Sequence, residues 1–80
     1  MLTRKESIRL VEREYREAFS EVTVQSDIER REEALKVADR MAVTLTCRNH
    51  GFRFITEATS EMFKLIRSEA TSLRKLAIGM

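Results

Sequence analysis

Proline is absent from this chain of 80 residues, glycine occurs only at Gly51 and Gly79, and there is one cysteine, Cys47, and one histidine, His50. Each scarcity removes a class of protein. With so few turn formers and 35% of residues charged, long helices are favoured over a turn-rich β fold. One cysteine cannot build an internal disulfide framework. Cys47 and His50 together fall short of the four soft ligands that a structural zinc ordinarily takes. Uncharged apolar residues nowhere run together for the roughly 18 positions of a membrane helix, and the amino-terminal MLTRKES is charged where a signal peptide turns apolar. A cytoplasmic protein that does not enter a membrane is expected. Glycine-rich phosphate loops, Gly-x-Ser-x-Gly and His-Glu-x-x-His are all missing. The expectation is a protein with no enzymatic activity, no cofactor, no metal and no small-molecule substrate.

Charge is nearly balanced, at +2 overall with 15 basic and 13 acidic side chains. The balance is also local, and the small basic excess falls in the last third, where Lys64, Arg67, Arg74 and Lys75 complement the dipole of a final helix. A nucleic-acid binder usually shows a stronger excess.

Apolar spacing divides the chain into three helices, at about 3–22, 26–49 and 53–78. Thr3 to Glu6 reads T-R-K-E, a capping box, and Ile8, Val11, Tyr15, Ala18, Phe19 and Val22 follow at helical spacing on a stripe about 100° wide. Ser26 opens a second box, S-D-I-E, ahead of Ile28, Ala34, Leu35, Ala38, Met41, Ala42 and Leu45. The third helix carries Ile55, Ala58, Met62, Leu65, Ile66, Ala70, Leu73, Leu76 and Ala77 on a face about 160° wide. The whole, 1–80, reads as one all-α domain. A turn of two or three residues between the second and third helices would set them as a long antiparallel hairpin.

The stretch VTLTCRNHGFRFIT, residues 43–56, admits a second reading. Val43, Leu45, Cys47, Phe52 and Phe54 alternate as in a β-hairpin, which with a strand at Val22 and Val24 would make the protein α+β. Against this, the tip lacks an Asn-Gly or Asp-Gly pair. If instead the second helix runs to Asn49 or His50, Gly51 takes the left-handed position just past its end, the Schellman arrangement.

A small domain of this length buries only about 60 to 65% of its unfolded surface and usually needs a supplement. With disulfide and metal removed, association with another chain remains. Leu10, Val43, Cys47, Phe63 and Ile78 fall at or beyond the edges of the apolar faces and are expected to meet a partner or a second copy. Glu69, in the middle of the third apolar face, is expected to form a buried pair with Arg31 of the second. Cys47 and His50 lie three residues apart, but a nucleophile also needs an orienting group and a cleft.

Lys5, Arg9, Arg13 and Arg16 share one flank of the first helix, with Glu6, Glu14, Glu17 and Glu21 toward the other. Such flanks suit a helical partner of complementary charge, phosphate oxygens, or a solvated face of ion pairs such as Glu12 with Arg16. A helix-turn-helix reader is disfavoured, because the third helix would offer Phe52, Phe54 and Ile55 to the bases. The reading is therefore a helical bundle that associates as a homodimer or with a helical protein partner, as a small adaptor, chaperone or regulator. The alternative is a nucleic-acid-binding regulator using the basic flank.

Overall fold

The Thr3 capping box forms on both sides: the Glu6 N–H donates to Thr3 Oγ1 at 3.1 Å, and the Thr3 N–H donates to Glu6 Oε1 at 3.2 Å. The Thr3 side chain, and after it the Thr3 N–H, hold the Glu6 carboxyl below its ordinary 4.5, because a hydrogen-bonded carboxylate resists protonation. The two bonds start α1, Arg4–Glu21, in a computed structural model that describes residues 2–21 and 26–79. Ser26 caps α2, Asp27–Asn49, by accepting from the Ile28 N–H at 3.2 Å. The third helix, α3, spans Ser60–Ile78. The fold is all-α, with no strand among the described residues. The strand suggested at Val22 and Val24 lies outside them.

At the end of α2 the question posed by residues 43–56 is resolved for the helix. Gly51 has φ +82°, its N–H bonds to the Arg48 carbonyl at 3.0 Å, and the Phe52 N–H reaches back to the Cys47 carbonyl at 2.9 Å. That pair of bonds is the Schellman arrangement. A Cβ on Gly51 would meet nothing within 4 Å, so the cost of Gly51→Ala is purely that of the left-handed backbone. We expect a loss of about 1 kcal/mol in urea unfolding. A neutral result would mean that the glycine is not needed to stop the helix.

The start of α3 requires a correction. It begins at Ser60, not near residue 53, and ten residues from His50 to Thr59 make the connection, with a single 3-10 turn at Ile55–Glu57. Phe54 is extended, and its N–H is taken by the Glu57 carboxylate at 3.1 Å. Ala58 is again extended, and Thr59 then caps α3 by accepting from the Met62 N–H at 3.3 Å. Local side-chain bonds thus hold 54–59 out of the helix, despite its helical apolar spacing.

The short turn on which the α2–α3 hairpin rested is therefore absent. Asp39 and His50, about 16 Å apart along α2, both find partners between Arg67 and Arg74 of α3. The antiparallel pair is α1 with α2. Arg4 and Ser7, early in α1, share a cavity wall with Thr46 and Asn49, late in α2. At the other end the Arg30 guanidinium stands 5.7 Å from the centre of the Phe19 ring, a cation–π contact.

What these helices bury is small. Among the described residues the buried apolar side chains are Val11, Ala34, Ala38, Ala42, Leu45, Cys47, Ile66 and Ala70, of which half are alanines. Ala34, Ala38 and Ala42 recur every four residues and form one stripe of α2, which lets α1 and α3 approach closely but removes little apolar area per residue. Large apolar side chains remain outside: Leu2, Ile28, Phe54, Phe63, Leu65 and Leu76 are all exposed, Ile28 at 70%. The molecule is correspondingly open. Its radius of gyration is 13.0 Å, against about 12 Å for a compact chain of this length. Its accessible surface is 5795 Å², against about 5000 Å² for a monomer of this mass.

Candidate interaction surface

The ten-residue connection lies over one side of α2 and creates the main concavity. Val43, Thr44 and Cys47 of α2, Arg53 to Thr56 of the connection and Arg67 of α3 line a cavity of 520 Å³, together with Lys36, Asp39 and Arg40. Ile55 and Thr56 also border a second depression of 360 Å³ that includes Phe63 and Lys64. Phe54 borders a third with Arg48, Phe52 and Arg53. The three depressions adjoin, sharing Arg53, Phe54, Ile55 and Thr56, and Phe54, Ile55 and Phe63 are among their large apolar side chains at the connection and the start of α3. Phe54 is 66% exposed and Phe63 44%. Beside them stand Lys36, Arg40, Arg48, Arg53, Lys64 and Arg67, while Asp39 is the one carboxylate in the three linings.

Existing bonds show which of these charges are already matched. Asp39 receives Arg67 at 3.4 Å and Arg74 at 3.8 Å, and Lys36 reaches Glu33 at 3.1 Å. The Glu57 carboxylate accepts from Phe54. Arg40 and Arg53 are exposed and make no ion pair among the described residues.

Of the five apolar residues expected at an interface, Phe63 alone is exposed. Leu10, Val43 and Ile78 are half-buried and pack on the cluster of Val11, Ala38, Ala42, Leu45 and Ala70. Cys47 is 1% exposed. α1 touches both other helices, so its buried arc is wider than a single seam and takes in Leu10 as well as Val11. Phe54, Leu65 and Leu76 were missed as surface residues because periodicity places an apolar residue on a face without showing whether anything covers it.

The buried pair of Glu69 with Arg31 does not form. Arg31 is exposed, and Glu69, also exposed, meets His50 Nε2 at 2.8 Å, joining the end of α2 to α3. His50 was legible as a helix-end residue, but its partner depends on the way α3 crosses. Cys47 has neither an orienting group nor an open approach. Burial, with the Glu57 carboxylate adding to it, pushes its thiol above the ordinary 9.0, opposite to what an activated thiolate requires.

On α1, Lys5, Arg9, Arg13 and Arg16 are all exposed. Arg16 pairs with Glu12 at 2.6 Å and Arg13 with Glu17 at 3.8 Å, both within the helix. Half of the basic flank is thus engaged by the helix's own carboxylates. No group of three His, Cys, Asp or Glu side chains that could hold a metal occurs among the described residues. Nor is any described helix long and apolar enough to cross a membrane. No family model, curated protein or solved structure matches this chain.

Proposed function

We propose that the protein is a non-enzymatic binding module of the cytoplasm, a small adaptor, chaperone or regulator that associates through apolar helical surface with a second copy or another polypeptide. The observation that carries this reading is the distribution of apolar volume: alanines make up half of the buried apolar side chains, while Phe54, Phe63, Leu65 and Leu76 are exposed. Burying a large aliphatic or aromatic side chain contributes about 1.5 to 3 kcal/mol, so the isolated chain forgoes several such contributions. Its surface exceeds that expected for its mass by about 800 Å², roughly what one partner loses in an interface of ordinary size.

Sedimentation equilibrium over a wide concentration range tests the reading, with binding of an environment-sensitive apolar dye as the companion measurement. Association, or strong dye binding that a partner peptide displaces, is expected. A stable monomer that binds neither dye nor any amphipathic peptide would overturn it. The nucleic-acid alternative rests on the basic flank of α1, where only Lys5 and Arg9 lack an ion pair among the described residues. It predicts retention of DNA or RNA fragments at low salt that is lost steeply as salt rises.

A further inference from the structure

The apolar surface at the α2–α3 connection differs from the rest of the exposed apolar residues in its electrostatics. Leu65 and Leu76 lie three turns apart on the opposite shoulder of α3; Leu76 borders a cavity whose polar wall holds Ser7, Thr46, Asn49, Ser68 and Glu69. That neighbourhood has no charge bias. By contrast, the linings that hold Phe54, Ile55 and Phe63 contain six cations and Asp39. Lys36 and Arg67 are paired and the Glu57 carboxylate is taken by the Phe54 N–H, which leaves Arg40, Arg48, Arg53 and Lys64 without an ion pair among the described residues. Asp39 is held by Arg67 and Arg74, so the exposed Arg40 and Arg53, which line the same cavity, have no carboxylate partner there.

Resting on the binding-module reading, we propose that this groove receives an acidic amphipathic helical segment of another protein. Two or three apolar side chains on successive turns of the ligand enter the cavity against Val43, Phe54, Ile55 and Phe63. Glutamates or aspartates on its flanks meet Arg40, Arg53 and the neighbouring cations. The pattern is that of helix-in-groove recognition, in which i, i+3, i+4 and i+7 anchors supply affinity and flanking charges supply orientation and selectivity. A second copy of this chain is a poorer fit, because its own rim would bring like charges together about any symmetric contact.

The test uses the full chain and three labelled helical peptides in fluorescence anisotropy. One has leucines at i, i+3, i+4 and i+7 with glutamates on the flanks; the second keeps the leucines and replaces glutamate by lysine; the third keeps the glutamates and replaces leucine by alanine. The acidic amphipathic peptide should bind at least about tenfold more tightly than either of the others, and less tightly as salt rises. The double variant Arg40→Glu with Arg53→Glu should lose that preference and favour the lysine peptide. Both positions are exposed, so helical circular dichroism should be unchanged. Equal binding of the glutamate and lysine peptides would overturn this proposal and leave the binding-module reading standing, as would a dimer in which Phe54 is protected and no peptide binds. Preferential binding of a nucleic-acid duplex that Arg40→Glu with Arg53→Glu abolishes would overturn it too. Failure of every peptide together with absence of association would overturn both.

Discussion

Ile66→Ala lowers the unfolding free energy by about 2 to 5 kcal/mol, the usual cost of emptying a fully enclosed aliphatic site, and moves the urea midpoint down accordingly. Ile66 is the largest fully buried side chain among the described residues and is 0% exposed. A domain of this length has about 4 to 12 kcal/mol in total, so one substitution removes a large share of it. The effect is large because alanines occupy so much of the remaining core and have almost nothing to give up. Leu65→Ala, one residue away, provides the contrast. Leu65 is exposed, and its truncation is expected to stay within about 0.5 kcal/mol. Equal midpoints for the two variants would show that α3 does not dock through Ile66.

Phe54→Ser with Phe63→Ser leaves the helices intact and weakens capture of the acidic amphipathic peptide by about a hundredfold or more. Phe54 is 66% exposed and Phe63 44% in the free protein, so removing them costs the fold less than truncating a core side chain. In a complex they are the aromatic anchors that interfaces concentrate their energy upon, each contributing about 2 kcal/mol or more when truncated. Anisotropy titration measures the loss, and helical circular dichroism verifies that folding is retained. Leu65→Ser with Leu76→Ser, on the other shoulder of α3, should reduce binding much less. A reversal of that order would move the binding surface from the connection to the far side of the helix.

The elements most legible in the sequence were those set by local bonds. Thr3 with Glu6, Ser26 with Ile28, and Gly51 with its two returning N–H donors were all readable from residue type and spacing, because a cap is a contact between residues two to five apart. The start of α3 was also local, yet it was obscured. Ile55, Ala58 and Met62 keep helical spacing through a segment that Thr59 and Glu57 hold outside the helix. The signal that could have revealed it was Thr59 followed by Ser60 and Glu61, a capping residue with an acid in the first turn.

The candidate site was far less legible. Periodicity identified the apolar faces, but which edges stay open depends on how α1 and α3 cover α2. Leu10, Val43 and Ile78 had the look of surplus and were drawn onto the core cluster. Leu65 and Leu76 had the look of core and were left outside. Glu69 had the look of a buried carboxylate in need of Arg31, but both side chains are exposed, and Glu69 meets His50 instead.

Cys47 closes a cavity wall while exposing almost none of its own surface. Its sulfur therefore serves as a built-in timer. A disulfide reagent in solution reaches a sulfur this covered only when its surroundings open, and the rate of labelling counts those openings. Anything seated against Val43, Phe54 and Ile55 would also cover the wall that Cys47 closes, so occupancy of the groove can be read as slower labelling of that thiol.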